Sequence, residues 1–208
     1  MDTRTHFLNN DGLKRDFVNY YFVHNGIDGE RFLNDSEAQQ IDDIIDNKNI
    51  PLHDSVVQSD DHKTSESSYR KSKICWLEDN ENFHWLFEKI ASQVEIANNT
   101  MWHFDIVGLL EGVQYSIYYD NGGHYGWHID MGSGFAEKRK ISGVIQLSNP
   151  EEYEGGELQL QMPLGEITAP KDKGSLSLFP SYIRHRVTPV SKGVRKSLVV
   201  WASGPAFR

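Results

Sequence analysis

From Phe104 onward the sequence breaks into short runs of strand-forming residues, and this pattern constrains the fold more than any other feature. Val113 to Tyr119, Lys140 to Ser148, Gly156 to Met162, Gly174 to Phe179, Ile183 to Thr188 and Val194 to Trp201 are each bounded by Gly, Pro, Asn or Asp. Several short strands with such turns predict a sandwich or barrel, the jelly-roll group included. Upstream the spacing is helical. Ser36 stands where it can cap a helix carrying Ala38, Ile41, Ile44 and Ile45 on one face, and Phe83, Leu86, Phe87, Ile90 and Val94 recur at steps of three and four. Helices first and strands afterwards predict an α+β chain, mainly β, with N-terminal supporting helices on a β core. The expected organisation is one structural domain. Residues 1–31 form an extension packing on the core, 32–103 a helical support layer, and 104–208 the β core that carries the chemistry. Asp16 to Val23 is apolar enough to dock, as an added edge strand or at a partner surface. His53 to Lys73 is almost wholly polar and reads as a mobile loop, either a plain connection or a lid over a substrate.

His128-Ile129-Asp130 is the most informative tripeptide. On a strand side chains alternate, so His128 and Asp130 share a face and Ile129 points away. His185, on the expected strand Ile183 to Thr188, supplies a third donor. Two imidazoles and a carboxylate can take one face of an octahedron and leave three positions open, the ligand set of non-haem iron oxygenases. An isolated His-x-Asp is a weak signal in a chain with nine His; its surroundings strengthen it. Arg195 lies ten positions beyond His185 on the last strand, and its planar fork suits a carboxylate. Ser197 shares its face and can add a hydroxyl donor, while Lys196 faces away. A dicarboxylate such as 2-oxoglutarate needs one end on a metal and the other on such a cation.

Charge and cysteine content narrow the partners. The 21 basic and 30 acidic residues give a formal net charge of −9, which disfavours phosphate backbones and anionic lipid and leaves a neutral or basic peptide or a small molecule as the easier substrate. Cys75 is the single cysteine of the 208 residues, so an intrachain disulfide and a Cys-rich zinc site are both excluded. No apolar stretch approaches the roughly 20 residues that a spanning helix needs, and Met1 to Tyr20 lacks the apolar core of a signal peptide. A cytoplasmic setting is expected, with no nucleic acid and no membrane as partner.

The run Tyr119-Asp-Asn-Gly-Gly-His-Tyr125-Gly-Trp-His128-Ile-Asp130 resembles the signature of prolyl 4-hydroxylase-type oxygenases. Gly155-Gly156-Glu157-Leu158 is similar to that family's Gly-Gly-Glu turn, and Gly174 to Pro180, His185, Arg195 and Trp201 follow in the family's order. Phe32 to Glu37 loosely resembles its opening helix. The resemblance implies a double-stranded β-helix, with Fe(II) held by His128, Asp130 and His185. It also implies 2-oxoglutarate and O2 as cosubstrates and ascorbate as reductant. Tyr119 would donate its hydroxyl to the distal carboxylate beside Arg195 and Ser197, and Tyr125, Arg139 and Trp201 match the positions that hold a prolyl substrate. Asp130 favours hydroxylation over halogenation, since related halogenases lack that carboxylate. Two departures bear on the substrate: collagen-type members carry lysine at Arg195 and threonine at Leu158. A prolyl peptide or protein is the leading expectation, with a free amino acid or other small molecule as the alternative. A metal-binding barrel without activity is a third reading.

Overall fold

The computed structural model describes residues 20–23, 31–55, 57–58, 63–64 and 69–207. In chain order the elements are β1 (Tyr21–Val23), α1 (Asp35–Asn47), β2 (His53–Asp54), β3 (Val57–Gln58), β4 (Lys63–Thr64), β5 (Arg70–Lys71) and β6 (Lys73–Leu77). Then come α2 (His84–Met101), β7 (Gly108–Leu109), β8 (Val113–Tyr119), β9 (His124–His128), β10 (Arg139–Gln146) and β11 (Tyr153–Gly155). The chain closes with β12 (Leu158–Met162), β13 (Gly165–Thr168), β14 (Leu176–Pro180), β15 (His185–Val187) and β16 (Val190–Ser203). The architecture is mainly β, with two main sheets, a two-stranded pairing of β3 with β4, and few helices. A nine-stranded sheet runs β1-β14-β10-β16-β8-β6-β2, with β7 and β11 also on β16, and a five-stranded sheet runs β13-β12-β15-β9-β5.

Alternation along the central strands sorts the side chains into two layers. On β8, Val113, Tyr115 and Ile117 turn toward α1 and α2, and with Leu198 and Val200 of β16 they join the main apolar core. Gln114, Ser116 and Tyr118 take the other face, toward the smaller sheet. There Val144 and Phe179 of the large sheet meet Leu158, Leu160 and Met162 of β12 in a second core. Each fully buried aliphatic side chain contributes about 1.5–3 kcal/mol of transfer free energy, so both faces of the large sheet are stabilised by burial.

The helix α1 is capped by Asn34, whose side chain accepts from the Glu37 N–H at 2.9 Å while the Glu37 carboxylate accepts from the Asn34 N–H at 2.8 Å. This capping box, two residues upstream of Ser36, sets the helix start. The buried face is Ala38, Ile41 and Ile45. Asp42 ties it to the sheet, accepting from Tyr115 Oη at 2.8 Å and from Lys196 Nζ at 2.7 Å.

Before residue 104 the two helices that the spacing suggests are present as α1 and α2, accompanied by strands that it did not suggest. β2 and β6 extend the large sheet and β5 joins the smaller one. The described residues of 53–73 thus include four strands rather than forming a loop; residues 56, 59–62 and 65–68, where a plain connection or a lid was expected, lie outside the described residues. Polar composition misleads here because edge strands pair through backbone groups, whatever their side chains. Of the extension 1–31, Tyr21–Val23 is an edge strand on β14; residues 1–19 and 24–30 lie outside the described residues. Among the described residues no helix is long and apolar enough to cross a membrane.

Candidate active site

The β9 and β15 strands lie side by side in the smaller sheet, with His128 and His185 as register partners. Asp130 follows two residues after β9, and the donor atoms of the three lie within 4.8 Å of one another. Ile129 is half exposed on the opposite side, as alternation requires. Each imidazole Nδ1 sits against a main-chain carbonyl: His128 on Gly126 O at 2.8 Å, His185 on Ile183 O at 2.9 Å. A carbonyl can only accept, so both Nδ1 atoms carry a proton, and in the neutral ring each Nε2 presents a lone pair. Those lone pairs face Asp130 Oδ1 and Oδ2, each at 3.5 Å.

With both rings neutral, three acceptors turn toward one another, an arrangement that calls for a cation among them. Burial keeps His185 neutral, lowering its pKa to about 4. Burial alone would raise Asp130, but positive charge at His185 and His128 and the Ser142 hydroxyl more than reverse it and hold the carboxyl well below the usual range; with the rings neutral, a bound cation would supply that charge. Two neutral imidazoles and an ionised carboxylate fit a divalent ion such as Fe(II).

These groups line a cavity of about 540 Å³ that also holds Arg195, Ser197, Tyr125, Arg139 and Trp201. Arg195 is 1% exposed, and its three guanidinium nitrogens make no hydrogen bond of ordinary geometry among the described residues. A buried, unmatched charge costs several kcal/mol, so the site fits a ligand carboxylate. Gly156, at φ +60°, lets the chain pass close: a Cβ there would lie 2.9 Å from Arg195 Cδ and 3.2 Å from Tyr153 Cε2. The Tyr153 hydroxyl faces the same guanidinium.

Nearer the three donors, Tyr125 stacks on His128 with ring centroids 3.5 Å apart, and burial lifts its hydroxyl to about 12. Arg139 lies 3.9 Å over the Trp201 ring and donates from Nε to Glu111 at 2.7 Å. Trp76 packs on Trp201 at 5.9 Å.

Tyr119 is a correction. It packs with the main core on the helix side of β8, away from the cavity, because alternation puts it with Val113, Tyr115 and Ile117. Its neighbour Tyr118 lines the cavity and pairs in register with Arg195, whose Cζ lies 5.2 Å from the Tyr118 ring. The polar face Gln114-Ser116-Tyr118 carried that signal. Arg70 was also missed. β5 pairs with β9, and Arg70 reaches the cavity with its guanidinium 4.4 Å over Tyr125. Nothing local marked it, since 55 residues separate it from that ring. Gly126 permits the pairing: a Cβ there would lie 2.9 Å from the Tyr69 ring.

The family model described as the 2OG-Fe(II) oxygenase superfamily matches residues 113–203. A PKHD-type hydroxylase of Thermosynechococcus vestitus is 31% identical over 174 residues, 78% of this chain and 76% of that relative. The chain belongs to the 2OG-Fe(II) oxygenase superfamily. A second member, a PKHD-type hydroxylase of Teredinibacter turnerae, is 39% identical over 88 residues, 40% of this chain, and the match spans 39% of that relative's length. Among solved structures, a prolyl hydroxylase from Trichoplax adhaerens in complex with a hypoxia inducible factor oxygen degradation domain peptide fragment has the same fold. Its TM-score is 0.70 at 18% identity, over 92% of this chain and 86% of that one. In this superfamily member three converging donors and a buried guanidinium share one cavity.

Proposed function

We propose that the protein is an Fe(II)- and 2-oxoglutarate-dependent dioxygenase that hydroxylates a prolyl residue in a peptide or protein, releasing succinate and CO2. One observation carries the reading. Three converging lone-pair donors and a buried, unmatched guanidinium line the same cavity, as a ligand with a metal-binding end and a distal carboxylate requires. On this reading the two sheets are the halves of a double-stranded β-helix, residues 104–208 are its catalytic core, 32–103 support it and 1–31 pack against it. The single Cys75, buried, suits a reducing setting such as the cytoplasm.

His128, Asp130 and His185 would hold Fe(II). The ion, when bound, supplies the redox chemistry by which O2 oxidises 2-oxoglutarate and a substrate C–H bond. The chain's own groups do the rest. Arg195 takes the distal carboxylate of 2-oxoglutarate, with Ser197 on the same face as a hydroxyl donor. Val144, Leu158 and Val187 keep water from that contact, which strengthens it. Tyr125 stays protonated at neutral pH, a neutral wall against His128. Trp201 offers the substrate an apolar face, and Arg139, fixed by Glu111, offers it a donor. The prolyl assignment rests on this set and on the peptide bound by the Trichoplax neighbour.

The test is succinate formation by purified protein with Fe(II), ascorbate and 2-oxoglutarate, alone and with proline-containing peptides. The expected result is peptide-stimulated turnover with one oxygen added to the peptide, lost in Asp130→Ala. Turnover that no peptide stimulates would move the substrate to a free amino acid or another small molecule. No 2-oxoglutarate binding and no consumption would overturn the oxygenase reading.

A further inference from the structure

Ser142, on β10, is fully buried, and its Oγ lies 2.6 Å from Asp130 Oδ2 and 3.0 Å from Ser181 Oγ. A hydroxyl has one proton and two lone pairs. An ionised carboxylate only accepts, so the Ser142 proton goes to Asp130 and the Ser181 proton comes to Ser142. The result is a one-way chain from Ser181 through Ser142 to Oδ2, in which each bond polarises the next. Ser181 is fully buried too. Its carbonyl accepts the Asp130 N–H at 3.0 Å and the Met131 N–H at 3.3 Å, and its own N–H is held by Lys140 O at 2.9 Å. One residue thus grips Asp130 at the main chain directly and at the side chain through Ser142. Ser181 also sits four positions before His185, in the turn between β14 and β15, so it links the acidic donor to the strand of the second imidazole.

The geometry points to Ser142 and Ser181 as a positioning pair that fixes the Asp130 carboxylate for metal binding. The inference rests on the ligand role proposed for Asp130. Ser142 holds Oδ2 and restrains rotation of the carboxylate, so Asp130 meets an incoming ion already oriented. No other donor to either carboxylate oxygen is a hydroxyl among the described residues. Without Ser142 the carboxylate would keep its charge and lose its orientation. Ser181 alone would lose its acceptor but keep its main-chain grip.

The test measures Co(II) affinity of the full chain by equilibrium competition with a chromophoric chelator, away from turnover, beside thermal unfolding of the metal-free protein. Ser142→Ala is expected to weaken Co(II) binding roughly 10- to 100-fold, the usual cost of losing a group that orients a ligand. Ser181→Ala should weaken it less, and Ser142→Thr, which keeps the hydroxyl, should recover most of it. Co(II) affinity in Ser142→Ala within about twofold of the parent, well below that range, would overturn the inference, as would a melting temperature lowered with affinity unchanged. Equal losses in Ser142→Thr and Ser142→Ala, both folded, would overturn it as well. Failure of the parent chain itself to bind Co(II) would instead strike the metal reading, which separates the two failures.

Discussion

On the proposed reading, Arg195 and the ring beneath it meet the cosubstrate carboxylate. A desolvated cation over an aromatic face is worth about 2 kcal/mol, and Tyr118 provides that face at 5.2 Å. Tyr118→Leu should therefore weaken 2-oxoglutarate binding about tenfold, the equivalent of ~1.4 kcal/mol, measured by calorimetry on the metal-loaded protein. Tyr119→Phe should leave that affinity unchanged, since its ring lies in the helix-side core. A loss in Tyr119→Phe matching that in Tyr118→Leu would restore the hydroxyl role to Tyr119. The two tyrosines also mark where residue-level reading succeeded and failed. His128 was paired with Asp130 and Arg195 with Ser197 by strand alternation, His185 was added as the third donor on another expected strand, and the structure brings all five to one cavity. Tyr119 was placed by resemblance to a motif, and the pattern of β8 itself, polar at 114, 116 and 118, would have chosen its neighbour. Ser142 and Tyr153 left no such trace, because a serine inside a strand and a tyrosine before a glycine turn have many ordinary uses.

Among elements, the turn Gly155-Gly156 between β11 and β12 carries the sharpest requirement. Gly156 combines φ +60° with a close approach to Arg195 Cδ, and a side chain there would meet both backbone strain of about 1 kcal/mol or more and the guanidinium stem. Gly156→Ala should lower 2-oxoglutarate affinity about tenfold, a change of ~1.4 kcal/mol, with Co(II) affinity held. Parallel losses of both would show that the turn supports the whole site rather than Arg195 alone. β8, β10, β12, β14, β15 and β16 were legible because each holds an apolar run bounded by turn residues, and β8 runs over the expected span; β11 and β13 were not among the expected strands. β5 was not, because its sequence, Arg70-Lys71, holds nothing that favours a strand. Its place depends on the backbone of β9 and on the missing Cβ of Gly126, facts about residues far along the chain.

At the scale of the molecule, both helices and the large sheet share one apolar core, and the single thiol lies inside it. Cys75 is 2% exposed, and burial pushes its pKa from 9.0 to about 11. A buried, protonated thiol is a poor nucleophile, so a disulfide reagent at pH 8 should label no cysteine in the native protein and one per chain after unfolding. Rapid native labelling would show that β6 opens from the sheet. The same shift sets a pH dependence. The native thiol holds its proton where the unfolded one has lost it, so this contribution to stability is complete below about pH 9 and declines as pH rises toward about 11. Urea midpoints across that range would follow it, and a midpoint rising with pH would contradict the burial.

The longest strand, β16, runs from Val190 to Ser203 and carries Arg195, Ser197 and Trp201 on its cavity face. Six residues of extended chain separate Arg195 from Trp201, roughly 20 Å of rigid backbone. The strand therefore works as a ruler. On the proposed reading it sets the spacing between the anchor for the cosubstrate and the wall offered to the substrate, independently of any loop. A one-residue insertion between them would turn one of the two to the opposite face, so this spacing can change only by pairs of residues, and each such step is larger than a C–C bond.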